Sequence, residues 1–411
     1  MLNRIISATL LCATMGIASS CQSHPTSSSN GASTDSIPPV ETKKPNRGYP
    51  SAFPGQTRIG AIRTRTPLSI TVLDSSLDHP WGICNLPDGR LLISLNKGTM
   101  RIETTDGKLD KTITGFPQVD PKGQGGLLDV NISPDFASSR VIYWDYSEPR
   151  PDGLLLAVAK GKLSADETRI ENPTVIYRAT PAYKGHLQFG SRIVFDKQGN
   201  LFVTTGERSA KEIRVQAQDL NSSLGKVIHI PPDGKPVPGG PFAHTPGARP
   251  EIYALGLRSP EGLAMNPQTG ELWEAEFGPH GGDEVNLIKP GKNYGWPVIT
   301  YGEEYSGDKV GDGIQQKQGM EQPVYYWDPS VSPSGICFYN SKVIPEWKGN
   351  LFLACLSGSH LIRLALKNDR VTGEEWLLQG LGERFRALTT GKDGALYVIT
   401  DGGKLYRVAK K

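Results

Sequence analysis

Long apolar runs are what this chain most lacks. After the first twenty residues none approaches the roughly twenty positions that a membrane-spanning helix needs, so a soluble body is expected. Charge of one sign is missing as well. Lys and Arg number 45 against 42 Asp and Glu, a net charge of +3, and the basic residues are dispersed. That pattern argues against nucleic-acid partners and against a polybasic membrane patch, and leaves small molecules as the expected partners. Cysteine is scarce, 5 in 411 residues, and no two stand at metal-ligand spacing, so structural zinc is not expected. Sustained helical periodicity is nearly absent, which leaves strands to build the core.

What is present begins with MLNRIISATLLCATMGIASS: one early positive charge at Arg4, an apolar run, then small residues ahead of Cys21. This reads as a secretory signal over residues 1–21. Ile17-Ala18-Ser19-Ser20-Cys21 resembles a bacterial lipobox, whose cysteine is lipidated; a plain signal peptide cut near Ser20 is the alternative. Residues 22–55 are rich in Ser, Pro, Thr and Asn and hold scarcely any apolar cluster, so they are expected to form a disordered tether. Beyond the signal, and with Cys21 assigned to lipid, Cys84, Cys337 and Cys355 remain. The last two lie in neighbouring apolar segments, GICFY and LFLACL, and either bridge or stay as buried thiols.

Residues 56–411 are organised as a repeat. A turn of the Pro-Asp-Gly type followed at once by an apolar strand recurs at LPDGRLLISL (86), SPDFASSRVIYWDY (133), FDKQGNLFVTTG (195), NPQTGELWEAEFG (266), EWKGNLFLACLSG (346) and GKDGALYVITDG (391). Six such hairpins predict an all-β fold, a six-bladed β-propeller, with one inner hairpin per blade. A pair of β-sandwiches has the same strand content, but the repeats are too many and too widely spaced for it. Long segments between repeats, at about 205–250 and 295–330, are the expected carriers of function.

The stretch from Pro250 to Gly302 is dense in glycine and proline and contains GPHGGDE and GKNYGWP, turns that present backbone oxygens to a ligand or cation. Together with HPWGICNLPDGRLLIS, GQGGLLDVNISPDF, FGSRIVFDKQGNLFVTTGER and ERFRALTTGKDGALYVITD, it resembles the pyrroloquinoline quinone (PQQ)-dependent soluble aldose sugar dehydrogenases, the glucose/sorbosone dehydrogenase family. The resemblance runs from about Pro80 to Val408 and implies a six-bladed propeller that uses PQQ and calcium to oxidise an aldose to its lactone. Hydride would pass to the quinone, and electrons would leave to an external acceptor. No Gly-x-Gly-x-x-Gly fingerprint at a strand-to-helix turn suggests a nicotinamide oxidant.

Carried over residue by residue, the resemblance places Gln124 in the sugar and quinone pocket. Aligned on Gly190-Ser191-Arg192, it places Gln188 where the family has its catalytic histidine, the general base. A glutamine amide does not take a proton at neutral pH. His186, two residues upstream, is the local imidazole and the candidate base, although two residues along a strand displace a group by roughly 6 to 7 Å. An ordinary loop histidine is the alternative. Arg258 matches a family arginine that stabilises charge developing on the quinone; its neighbours Ser259 and Glu261 depart from the family's asparagine and glutamine. The carbonyls of Gly278 and Pro279 are implied calcium ligands, with Asp283 and Glu284 fixing the loop or reaching the ion through water. Phe277 replaces a polar residue.

Arg384 and Arg386, spaced to face one side, match a pair that clamps the tricarboxylate cofactor. Ser357 stands where a third cation, a lysine, is usual, and His360 lies near it. Two other readings stay open. One is a non-catalytic binding propeller derived from this family; the other is a calcium-dependent propeller lactonase. The expected location is that of an exported, periplasmic or outer-membrane lipoprotein of a bacterium, held to the membrane only through its lipid anchor.

Overall fold

Each repeated turn closes a hairpin between the first and second strands of a sheet. The computed structural model describes residues 37–411, and the paired strands are Pro80–Asn85 with Leu91–Leu95, Leu127–Ile132 with Val141–Arg150, Gly190–Phe195 with Leu201–Thr205, Pro260–Met265 with Leu272–Glu276, Pro333–Phe338 with Leu351–Cys355, and Phe385–Thr390 with Leu396–Thr400. Side-chain oxygens fix several of these turns. Asp88 Oδ1 accepts from Arg90 N (2.9 Å), Asp196 Oδ1 from Gln198 N and Asn200 N (2.8 Å each), and Asp393 Oδ1 from Ala395 N (3.1 Å). Gly89, at φ 98°, takes the left-handed backbone that the first turn requires.

Two further strands complete each sheet, giving six four-stranded antiparallel sheets among the described residues. The first strands of neighbouring sheets touch around a closed ring, which makes the fold the six-bladed β-propeller read from the repeats. The sixth blade is assembled from both ends of the described chain, since Leu68–Asp74 pairs with Leu405–Lys410. Among the described residues helix is confined to short pieces such as Phe136–Ser139. No helix among the described residues is long and apolar enough to cross a membrane.

Apolar layers lie between neighbouring blades, one at each of the six junctions. Leu92 and Ile102 of the first blade, for example, pack with Ile142 and Trp144 of the second. The second strand of a blade is therefore covered on both faces. Leu91–Leu95 and Leu351–Cys355 are buried at every position, which is why they read as continuous apolar runs rather than strict alternation.

Two findings bear on the expectations at the chain's start and on its cysteines. Part of the stretch assigned to the tether lies against the propeller: Asp328 accepts from the backbone of Asn46 (2.9 Å) and Arg47 (3.2 Å), and Tyr49 O accepts from the Tyr326 hydroxyl (3.2 Å). Over the described part of that stretch, residues 37–55, the expected disorder thus gives way to chain docked by hydrogen bonds, and Phe53 also lies under the Arg370 guanidinium (3.8 Å). The signal, the lipobox-like Cys21 and the tether up to residue 36 lie outside the described residues. Cys337 and Cys355 are free thiols, opposite Phe352 and Pro333 in their strand register, so the bridge is not formed.

Candidate functional site

The loops preceding the inner strands meet at one end of the ring and enclose a cavity of about 430 Å³. Gln124, Gln188, Arg258, Gly278, Pro279, Asp283, Arg384 and Arg386 all line it, whereas His186 and Glu284 do not. The half-exposed His186 ring points to the neighbourhood of Asp120, with Nδ1 at 3.9 Å from its carboxylate. Its backbone still matters. Gln124 N donates to His186 O (2.8 Å), and Gln124 Oε1 accepts from Gln188 N (2.6 Å), so the two loops brace each other.

Gln188 occupies the left-handed region at φ 47°, and Ser191, Arg208 and Ser209 beside it also have positive φ. Such strain is kept where packing over-determines the backbone. With the Gln188 amide oriented so that its nitrogen faces the carboxylate and its oxygen the guanidinium, the nitrogen donates to Glu207 Oε1 (2.5 Å) and the oxygen accepts from Arg258 Nη2 (2.9 Å) and Nη1 (3.0 Å). Burial pushes the Glu207 carboxyl up to about 7, against the pull of Arg258. A composition-led reading misses Glu207. Its signal was an acid at the end of the wholly buried strand LFVTT.

Arg258 is itself buried and gathers the neighbouring loop. Nη1 donates to Phe277 O (3.0 Å) and Gly278 O (2.6 Å), and its guanidinium lies 5.2 Å from the Trp296 ring. Behind this loop, Asn286 Nδ2 faces Glu274 Oε2 (3.1 Å), Glu284 Oε2 (3.4 Å) and Glu276 Oε1 (3.5 Å). Burial raises all three acids, Glu276 to about 8, so protons shared among them relieve the crowding. Asp283 is fully used: Oδ1 accepts from Gly278 N (2.8 Å), and Oδ2 from Val331 N and Ser332 N (2.7 Å each). It fixes the loop.

Across the cavity, Arg384 and Arg386 do face one side, as their spacing required. Both turn Nε to Asp401, at 3.1 and 2.8 Å, and Arg386 Nη1 also donates to Glu261 Oε2 (2.8 Å). Asp401 was not anticipated, because it lies beyond the next strand of the same blade. Ser357 lines the cavity. His360 does not: its buried ring stacks on Trp376 (4.1 Å between centroids), and burial lowers it to about 4, so it is neutral and supplies no third cation.

This arrangement can be set beside known proteins. The glucose/sorbosone dehydrogenase family model matches residues 77–407. The chain belongs to the glucose/sorbosone dehydrogenase family. Over 84% of its length, and 93% of the relative's, it is 41% identical to the aldose sugar dehydrogenase YliI of Escherichia coli (strain K12). Its fold matches the soluble aldose sugar dehydrogenase from Escherichia coli in the apo-form with a TM-score of 0.80, at 40% identity over 84% of this chain and 100% of the other. It also matches the PQQ-bound aldose sugar dehydrogenase from Streptomyces coelicolor with a TM-score of 0.69, at 29% identity over 84% and 99%.

As a glucose/sorbosone dehydrogenase homologue, the chain has a donor set that suits an anionic planar group better than a cation. Arg384 and Arg386 keep guanidinium nitrogens beyond those given to Asp401 and Glu261, and Gln124, Ser332 and Ser357 add neutral polar groups. The implied calcium ligands fit less well. Arg258 Nη1 lies 2.6 Å from Gly278 O, a positive charge where the cation would need that oxygen. Among the described residues no three His, Cys, Asp or Glu side chains come together to hold a metal ion.

Proposed function

We propose that the cavity binds PQQ and oxidises an aldose at its anomeric carbon to the lactone. The observation that carries the reading is the convergence of Gln124, Gln188, Arg258, Arg384 and Arg386 on one cavity in a chain of this family. Bound there, the quinone supplies the hydride acceptor that no side chain provides. Arg384 and Arg386 hold carboxylates through their remaining nitrogens, and Asp401 keeps both guanidiniums aimed. Arg258, fixed by two carbonyls and by Gln188, presents a cation where negative charge develops. Calcium is proposed at Gly278 and Pro279 only with displacement of Arg258 from the Gly278 carbonyl. Electrons then pass to an external acceptor. The protein is proposed to be exported and anchored through Cys21, which Cys21→Ala should test by moving it from the membrane fraction to the soluble one.

A specific observation favours a second reading, a binding propeller without turnover. Gln188 fills the base position, its amide spent on Glu207 and Arg258, and His186 stands outside the cavity. Purified protein given PQQ, with and without calcium, and followed by dye reduction across an aldose panel separates the readings. Dye reduction that needs PQQ supports oxidation; quinone binding by calorimetry without dye reduction supports the binder. No quinone binding sinks both, and turnover of lactones with metal alone identifies a lactonase.

A further inference from the structure

We propose that Tyr305 and His280 form an aromatic platform on the lip of the cavity that receives one face of the sugar ring. This rests on the sugar-oxidation reading and deepens it by naming a residue that sets substrate affinity. Tyr305 is 76% exposed, yet it lines the cavity and makes no side-chain hydrogen bond among the described residues. The half-exposed His280 ring stands beside it, centroids 6.1 Å apart at 36°. A large ring left in water at the mouth of a polar cavity has its contact surface still to fill.

A pyranose has the complementary form. Its C–H bonds make apolar faces, and its hydroxyls project around the edge. A ring on the lip takes a C–H face while Gln124 and the polar cavity wall take hydroxyls, which a platform of charged side chains would not achieve.

The lip is built to be rigid. His280 and Glu303 exchange backbone hydrogen bonds (2.9 and 3.2 Å), and His280 Nδ1 lies 3.0 Å from Glu303 Oε1. The turn that carries Tyr305 is closed by Glu304 N to Asp308 O (2.9 Å) and Gly307 N to Glu304 O (2.8 Å), and Arg214 pairs with Glu304 (2.7 Å). Arg47, from the docked N-terminal segment, pairs with Glu303 and donates to Gly307 O. With the backbone beneath both rings fixed beforehand, only the side-chain freedom of Tyr305 is lost when the ligand arrives.

The test uses the full chain with PQQ and calcium, comparing Tyr305→Ala and Tyr305→Phe with the wild type. The first readout is binding of 1,5-anhydroglucitol, which keeps the pyranose ring but has no anomeric hydroxyl, by saturation-transfer NMR. The second is KM for glucose, and the third is PQQ affinity by calorimetry. Tyr305→Ala should weaken the anhydro-sugar and raise KM about fivefold to tenfold with PQQ affinity unchanged, and Tyr305→Phe should restore both. Unchanged sugar binding in Tyr305→Ala, absence of sugar binding by the wild type, or equal loss of PQQ affinity overturns the platform. Tyr305-dependent binding of the anhydro-sugar by a wild type that reduces no dye would sink the oxidation reading and leave the platform standing.

Discussion

The two ends of the propeller axis are built from the same six inner strands and differ in kind. At the end where those strands begin lies the 430 Å³ cavity with its arginines, its glutamines and the aromatic lip. Where they finish lies a larger funnel of about 870 Å³, whose wall is made of groups such as Asn85, Asn131, Met265, Cys337, Thr389 and Thr390. Volume therefore does not mark the chemistry. The distinction follows from the connections: short Asx-type turns close four of the six hairpins at the funnel end, while the cavity end takes the long loops and the strained residues Gln188, Ser191, Arg208, Ser209 and Ser332. Between the two ends sits Arg192, whose Nη1 bonds Asp129 (2.9 Å), whose Nε donates to Glu261 O (2.5 Å), and whose guanidinium lies 4.1 Å from the Trp81 ring.

The largest expected effect concerns that partition. Arg192→Ala leaves the buried Asp129 carboxylate without its partner and should cost about 3 to 5 kcal/mol in a urea melt. A loss below about 1 kcal/mol would mean that the two ends are not separated by a stabilising ion pair. Next is Gln188→His, which sets an imidazole beside Glu207 at the cavity end. If general-base catalysis is what the chain lacks, dye reduction should rise about 10²-fold, and His186→Ala should change it little. A strong loss on His186→Ala would instead restore that residue as the base.

Smaller again is Arg386→Ala, expected to weaken PQQ about tenfold by calorimetry through loss of a charge-assisted contact worth roughly 1.5 to 3 kcal/mol. The more exposed Arg384 should matter less on substitution. Smallest is Thr390→Val in the funnel wall, where both PQQ affinity and sugar KM should stay within about twofold, as is usual for changes away from a site. A large effect there would break the division between the ends.

The scaffold was legible because four of its six turns carry an acceptor and a glycine, at Asp88, Asp196, Asn266 and Asp393, and all six are followed by an apolar run. Arg384 and Arg386 were legible for a similar reason: period two in a strand dictates their shared side, and Asp401 now shows where that side faces. Other features had no such local code. The docking of residues 46–55 depends on Asp328 and Tyr326, far away in the chain, which no local pattern announces. Glu207 and Asp401 are ordinary acids until the ring brings them beside Gln188 and the arginine pair. His186 was favoured by adjacency in sequence, but the left-handed backbone at Gln188 turns the chain so that the amide, not the imidazole, meets the cavity.

The sixth blade has a consequence for assembly. Among the described strands Leu68–Asp74 comes first in the chain and its partner Leu405–Lys410 last, so it stays unpaired until the rest of the ring has been made. Until Leu405–Lys410 has been made, this strand presents open backbone groups, and the blades that precede it cannot close the ring by themselves. Pairing of these two strands and sealing of the ring are then a single event, so a product lacking Leu405–Lys410 would be left with an unsealed edge and a strong tendency to aggregate.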